Sequence, residues 1–193
     1  MRSSLKLILI ISVSAAVLDQ LSKAIILAYL PENAFMEIIP GFFDLVHFKN
    51  PGAAFGILRD TGQWKTVFLS LASVAAIAII GVLLKDAKDT LTRVSLSLIA
   101  GGAAGNLVDR LRFGTVVDFL DFLLGGLHWP AFNVADSCIT IGVVLAIINC
   151  RLRMNLKQFF RKSLIILKAP NTIFLLSIRK DFPRRSLLNG RQP

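Results

Sequence analysis

The stretch WKTVFLSLASVAAIAIIGVLL, residues Trp64–Leu84, decides the class of this protein. Apart from Lys65 near its start, the stretch contains no charged residue. As an α-helix its 21 residues would extend about 31 Å, which matches the hydrocarbon core of a bilayer. The sequence therefore predicts a transmembrane helix at this position.

Three further apolar runs flank this stretch along the chain. They cover approximately Leu5–Leu30, Leu91–Leu111 and Val134–Cys150. Few charges interrupt them, and the third run contains the small-residue patch GGAAGN, which permits close approach of helices. We therefore expect an all-α membrane protein with four transmembrane helices.

The overall composition agrees with this class. Hydrophobic residues make up 54% of the 193 residues, and charged residues only 18%. Such a chain has too much apolar surface to remain disordered in water, and its long apolar runs argue against a soluble domain. Twelve helical residues would separate Cys138 from Cys150 by about 18 Å, which excludes a disulfide between them.

The positive net charge of +10 lies entirely in the last part of the chain. Residues 1–150 contain equal numbers of basic and acidic residues, whereas residues 151–193 contain eleven Lys and Arg against Asp181 alone. We expect a membrane domain over residues 1–155 and a basic cytoplasmic tail over 156–193, interfacial or disordered, near anionic lipid headgroups. The tail contains no recognisable nucleic-acid-binding module, so nucleic acid is not an expected partner.

The N-terminus allows a second interpretation. Arg2 and Lys6, the apolar run Leu7–Val17 and the small residues Ser14–Ala16 also fit a secretory signal peptide with a cleavage site. The apolar run continues to Leu30, however, which favours a retained helix.

The distribution of Lys and Arg predicts the topology. Basic residues concentrate before the first run, between the second and third runs, and after the fourth. We therefore expect both termini in the cytoplasm, with residues 31–63 and 113–133 outside. The first outer connection is partly apolar, and Leu45–Phe48 could form a strand, so we expect a small β-rich or amphipathic segment on the outer membrane surface.

Polar residues within the apolar runs are expensive in a membrane and are therefore functional candidates. On the predicted topology they all fall in the outer half of the membrane or at its outer surface. The candidates within or at the ends of the runs are Asp19, Lys23, Asn106, Asp109, Arg110, Asn133 and Asp136, and the outer connections add Asn50 and Asp118. Several also have a purely structural interpretation: an ion pair for Asp19 and Lys23, a polar packing network for Asn106, Asp109 and Arg110, and a helix N-cap for Asn133. Their common location favours a single site.

Aspartates are the residues best suited to chemistry at such a site. His47 and His128 are isolated and lack the spacing of zinc ligands, and no glycine-rich phosphate-binding loop follows a strand. Ser137 adjoins Asp136 but has no evident partner base. Two aspartates that share one proton can activate water, one as base and one as acid, and this requires no cofactor.

Five short blocks of sequence carry a family resemblance. In order they are DQLSK (Asp19–Lys23), NPGAAFG (Asn50–Gly56), GNLVDR (Gly105–Arg110), VVDF (Val116–Phe119) and FNVAD (Phe132–Asp136). With this ordered set the chain resembles the lipoprotein signal peptidases, also called signal peptidase II. The resemblance covers roughly residues 5–155 and implies that the first apolar run is a retained helix.

The resemblance implies an aspartic endopeptidase of the bacterial cytoplasmic membrane, with its active site at the outer face. Its substrates would be prolipoproteins, cut just before a diacylglyceryl-modified cysteine, and its inhibitor would be the cyclic peptide globomycin. The family's catalytic pair corresponds to Asp118 and Asp136. Its supporting positions correspond to Asp19, Lys23, Asn50, Gly52, Asn106, Asp109, Arg110 and Asn133. Among these, we expect Arg110 and Asn133 to orient the catalytic pair and Asn50 to help place the substrate.

Two other classes of function stay open on the sequence alone. An ion- or proton-coupled transporter would also carry buried Asp and Lys residues, but it would place a carboxylate near the membrane midplane on a broken helix. A non-catalytic membrane scaffold would depend on neither Asp118 nor Asp136 alone.

The predicted topology can be tested by labelling introduced cysteines. In a protein without Cys138 and Cys150, an Asp60→Cys variant should react with a membrane-impermeant thiol reagent added from outside. The matched control is Asp86→Cys, which should react only when the reagent reaches the cytoplasmic side. Labelling of residue 60 from the cytoplasm alone would overturn the topology.

Overall fold

A computed structural model describes residues 2–52 and 63–168, and the structural statements below concern those residues. The last four residues of the NPGAAFG block, the labelling position Asp60 and the tail from residue 169 onward lie outside them. Residues Met1–Asn149 form one compact unit, which holds all the contacts discussed below.

Four helices contain stretches long and apolar enough to cross a membrane, which confirms the predicted number. They are α1 (Arg2–Tyr29), α2 (Gln63–Asp86), α3 (Thr90–Phe113) and α4 (Val134–Lys168). Large apolar side chains such as Phe68 and Leu71 are exposed on the surface of α2. Contact of such an apolar surface with water is unfavourable, so the surface is stable where lipid covers it.

The fourth helix is longer than the sequence predicts. The apolar run ends near Cys150, but α4 continues to Lys168, so the first residues of the expected tail are helical rather than disordered. No proline or glycine occurs between Gly142 and Pro170, and helix formation therefore continues after the apolar composition has ended.

The connections between helices form a small antiparallel sheet. Its strands are β1 (Phe35–Ile39), β2 (Phe43–Asn50), β3 (Val116–Leu124) and β4 (Leu127–His128), and they lie side by side in that order. The strand expected at Leu45–Phe48 is confirmed as part of β2. The segment between α1 and α2 forms β1 and β2, and the segment between α3 and α4 forms β3 and β4. Strands about seventy residues apart in the sequence therefore share one sheet.

The sheet packs against the end of the first helix. Val117 and Phe119 on one face of β3 pack with Ile26 of α1 and with Leu30, the residue after the helix, in a buried apolar cluster. Because side chains alternate along a strand, Asp118 projects from the opposite face of β3. Burial of the apolar face thus determines which way Asp118 points.

Glycines bring the helix backbones close together around α3. A β-carbon at Gly101 would lie 2.5 Å from the carbonyl oxygen of Ser12 on α1. A β-carbon at Gly102 would lie 2.4 Å from the carbonyl oxygen of Ala135 on α4. Both distances are too short for any side chain, so α3 can contact α1 and α4 this closely only through glycine.

Substitution of Gly102 should therefore destabilise the fold. In Gly102→Ala the new methyl group meets backbone, which cannot rotate away, and we expect a loss of about 1–3 kcal/mol from this overpacking. Thermal unfolding of the purified protein in detergent measures the loss. Gly81→Ala in α2 is the matched control, because no atom lies within 4 Å of its new methyl group. Equal melting temperatures for the two variants would contradict this packing.

Candidate active site

The chain enters α4 through Asn133, which performs two functions at once. Its Oδ1 accepts a hydrogen bond from the backbone N–H of Asp136 at 2.9 Å, so Asn133 is the N-cap of the helix. Its Nδ2 donates to Oδ1 of Asp118 at 2.7 Å. Both interpretations of Asn133 from the sequence therefore apply, and the cap connects α4 directly to β3.

Asp118 is buried, and each of its carboxylate oxygens accepts a hydrogen bond from an asparagine. Besides the bond from Asn133, Oδ2 accepts from Nδ2 of Asn50 at 2.8 Å. Asn50 is itself held in a tight turn, because its Oδ1 accepts from the N–H of Gly52 at 2.7 Å. Gly52 has a φ of +81°, a left-handed conformation that favours glycine.

Asp136 lies in the first turn of α4 and is only half-buried. Its Oδ1 accepts a hydrogen bond from Nδ2 of Asn106 at 2.8 Å. Within the described residues its other oxygen makes no hydrogen bond. Asp136 also lines a cavity of about 310 Å³, together with Trp129, Phe132, Ser137, Thr140 and Ile141. One carboxylate oxygen is therefore available to a molecule that enters this cavity.

Two asparagines connect the two aspartates. Nδ2 of Asn133, which bonds to Asp118, also lies 3.3 Å from Oδ1 of Asn106, and Asn106 in turn bonds to Asp136. An amide can donate from its nitrogen and accept at its oxygen. These two side chains therefore hold the carboxylates at fixed positions without adding any charge to the site.

A buried lysine lies next to these asparagines and forms ion pairs with two further aspartates. The ammonium group of Lys23 contacts Oδ2 of Asp19 at 2.8 Å, Oδ2 of Asp109 at 2.8 Å and Oδ1 of Asn106 at 3.1 Å. The side chain of Lys23 is only 2% exposed. Three acceptors satisfy all three ammonium hydrogens, which is the condition for burying a charge at acceptable cost.

The same network extends to the backbone of the site. Oδ1 of Asp19 accepts from the N–H of Ala135 at 2.9 Å, and Oδ2 of Asp109 accepts from the N–H of Val117 at 3.0 Å. These two N–H groups belong to the residues next to Asp136 and Asp118. The ion pairs of α1 and α3 therefore position the start of α4 and the start of β3.

Two residues differ from the sequence-based expectation. Arg110, expected to orient the aspartates, forms no ion pair with either of them among the described residues; its guanidinium donates to Oγ of Ser73 at 3.4 Å and to the carbonyl of Asn106 at 3.5 Å. Gln20 was not predicted, yet its Nε2 donates to Oδ1 of Asp109 at 2.8 Å. Its position inside DQLSK, between Asp19 and Lys23, was the available signal.

The surroundings of Asp118 change its acidity. Burial raises the pKa of Asp118 to about 6, and the negative charge of Asp136 also raises it. The hydrogen bonds from Asn50 and Asn133 act in the opposite direction, because they stabilise the ionised carboxylate. A carboxyl group with a pKa near 6 can donate or accept a proton close to neutral pH.

Asp121 takes no part in this group. Its carboxylate bonds to Nδ1 of His128 at 2.7 Å, on the face of β3 opposite Asp118. Within the part of the chain that the structure describes, no group of three or more His, Cys, Asp or Glu could hold a metal ion.

Comparisons with known proteins identify the family of the chain. Residues 11–152 match the family described as signal peptidase II, and this range includes all five sequence blocks. A lipoprotein signal peptidase of Syntrophotalea carbinolica is 45% identical over 139 residues, which cover 72% of this chain and 86% of that protein. One from Neisseria meningitidis serogroup C is 43% identical over 141 residues, with coverage of 72% and 86%.

Two solved structures are also similar. Both are described as bacterial membrane enzymes solved by the in meso method, and each is 35% identical to this chain. The first has a TM-score of 0.68 and covers 76% of this chain and 88% of its own. The second has a TM-score of 0.65, with coverage of 74% and 91%. With a matched family over most of its length and relatives above 40% identity, the chain belongs to the signal peptidase II family.

Proposed function

We propose that this protein is a membrane endopeptidase that removes the signal peptide from prolipoproteins. The single observation that supports this best is the pair Asp118 and Asp136, joined through Asn133 and Asn106 beside an open cavity in a protein of the signal peptidase II family. The cut would fall just before a diacylglyceryl-modified cysteine, as the family resemblance implies.

The two aspartates would divide acid and base catalysis between them. Burial raises the pKa of Asp118, so Asp118 would hold the proton that the pair shares and donate it to the peptide carbonyl oxygen. Asp136, whose second oxygen has no hydrogen-bond partner in the described chain, would be ionised and take a proton from water. The water oxygen would then attack the peptide carbonyl carbon.

Breakdown of the resulting diol would complete the reaction. The carbon–nitrogen bond breaks, and the leaving nitrogen takes the proton that Asp136 received from water. Asp118 takes back the proton from the diol oxygen as the carboxylic acid product forms. Each aspartate thereby returns to its starting state, and the scheme uses neither a metal ion nor a covalent enzyme intermediate.

The site would lie at the outer surface of the bacterial cytoplasmic membrane, with both termini in the cytoplasm. β1 supports this location, because its residues Phe35, Met36, Ile38 and Ile39 are exposed and apolar, as in segments that rest in the membrane interface. Membrane lipid would thus contact both the helices and the sheet. A substrate held by its own lipid anchor would remain beside the site, which reduces the entropy cost of reaching the transition state.

The remaining expectations complete this proposal. Residues 1–155 would form the peptidase domain, and residues 156–193 a basic cytoplasmic tail that interacts with anionic headgroups. Globomycin would bind at the same site, in keeping with the family resemblance. The other supporting positions, Gly52 and Arg110 among them, would hold the substrate backbone or the polar network.

A peptidase accounts for the structure better than a transporter does. A carrier would need a broken helix that exposes a carboxylate to both sides of the membrane, but Asp19 and Asp109 lie on continuous helices and are paired with Lys23. A scaffold would not need a carboxylate oxygen facing a cavity, as Asp136 has.

Asn substitutions at the catalytic pair should abolish cleavage. Asp118→Asn and Asp136→Asn preserve shape but remove proton transfer, so each should lower the rate by about 10² to 10⁴-fold. The double variant should lose little more than either single variant, because the residues act as a unit. The assay is cleavage of a diacylglyceryl prolipoprotein by the purified protein.

The matched control for this pair is Asp86→Asn, at the exposed cytoplasmic end of α2. It should cleave at the wild-type rate. If Asp118→Asn or Asp136→Asn retains that rate while folded, the aspartic mechanism is wrong.

The pH dependence should reveal which aspartate is the base. Because burial raises the pKa of Asp118 to about 6, a rise in pH above that value removes the proton that Asp118 would donate to the carbonyl oxygen. We therefore expect kcat/KM to fall as the pH rises through about 6. Thermal unfolding over the same pH range controls for loss of structure. A fall in kcat/KM on acidification through about 6 would instead make Asp118 the base.

A further inference from the structure

The hairpin of β3 and β4 presents two different side chains on its two faces. His128 lies opposite Leu123 in the strand register, so it shares a face with Asp121, and its Nδ1 donates to Oδ2 of Asp121 at 2.7 Å. Trp129 is the next residue and therefore projects from the other face, on the side of Asp118. There it lines the cavity beside Asp136.

Trp129 directly follows β4, a short strand with few contacts of its own. β4 contains only Leu127 and His128, both exposed, and it follows the turn Gly125–Gly126, in which both residues have positive φ. The backbone of this segment is held by the short ladder with β3, by the bond from the N–H of Trp129 to the carbonyl of Phe122 at 2.7 Å, and further on by the bridge between Phe132 and Leu120. Among the described residues, the contact of His128 with Asp121 is the side-chain hydrogen bond between β4 and β3.

The contact between His128 and Asp121 stabilises the hairpin because the buried carboxylate of Asp121 needs a hydrogen-bond donor. Asp121 is buried, and its Oδ1 has no hydrogen-bond partner among residues 2–52 and 63–168. Directly opposite on β2 lies Asp44, a second buried acid that cannot donate to it when ionised. Like charges in directly opposed positions destabilise a sheet, so His128 supplies the donor that makes this arrangement tolerable. Loss of His128 would leave a buried carboxylate without any side-chain donor.

We infer that His128 and Asp121 are positioning residues for the peptidase reaction. Their contact on one face of the hairpin holds Trp129 on the other face, where the indole forms a wall of the site. Trp129 is 57% exposed, and with Phe132 and Ile141 it offers an apolar surface next to Asp136. The lipid-modified segment of the prolipoprotein is the occupant that matches this surface. This inference rests on the proposed function.

Steady-state kinetics provide the first test. His128→Ala should raise KM for the diacylglyceryl prolipoprotein by about tenfold and leave kcat within about twofold, because a misplaced wall weakens substrate binding without touching the reacting atoms. His128→Gln, whose amide can still donate to Asp121, should restore much of the KM. Leu127→Ala is the matched control on β4 and should leave KM unchanged.

A double-variant cycle separates positioning from a general structural defect. Trp129→Ala should raise KM by a similar factor, and His128→Ala should add nothing further in that background, because its effect passes through the indole. Additive increases in KM, or an equal loss of kcat in His128→Ala, would overturn the inference.

Fluorescence tests the same inference without catalysis. The chain has two tryptophans, so Trp64→Phe leaves Trp129 as the only one. In that background His128→Ala should shift the emission maximum to longer wavelength, as a released indole gains water, and His128→Gln should reverse the shift. An unchanged spectrum would refute the positioning role. A shift in a protein that cleaves no prolipoprotein would instead support the positioning and refute the proposed function.

Discussion

The burial of one lysine ammonium group is the constraint on which the rest of the site depends. Lys23 is almost entirely removed from solvent, so its charge must be compensated by groups that are equally buried. Asp19 and Asp109 provide this compensation, and each also accepts a hydrogen bond from a backbone N–H at the edge of the site. The same two aspartates therefore neutralise the buried lysine and position the starts of α4 and β3.

Two asparagines connect these ion pairs to the two aspartates of the proposed site. A further charged residue between Asp118 and Asp136 would fix the protonation of both, whereas the amides of Asn106 and Asn133 hold them in place and leave one proton free to move. The arrangement also explains why Asp118 tolerates burial. Two amide donors offset part of the desolvation cost, and the balance leaves its pKa near 6.

Close helix contact makes the polar network possible. Gly105 of α3 lies directly against Asp19, since a β-carbon there would sit 2.5 Å from the Asp19 carboxylate. The glycines thus permit short polar contacts between helices whose outer surfaces are almost wholly apolar. The sheet adds a second constraint, because its apolar face packs on α1 and turns Asp118 toward α4.

The sequence by itself determined the membrane class, the four spanning stretches and the family resemblance of this protein. Length and hydropathy are local properties, so the four helices and the strand around Val46 could be predicted, as could the polar residues Asp19, Lys23 and Asp109 at membrane depth. Only the tertiary structure decided which of those residues meet. The contacts of Gln20 with Asp109 and of His128 with Asp121 were not predicted, and Arg110 donates to Ser73. Such contacts depend on the angle and register at which distant segments pack, and periodicity along one segment carries no information about either.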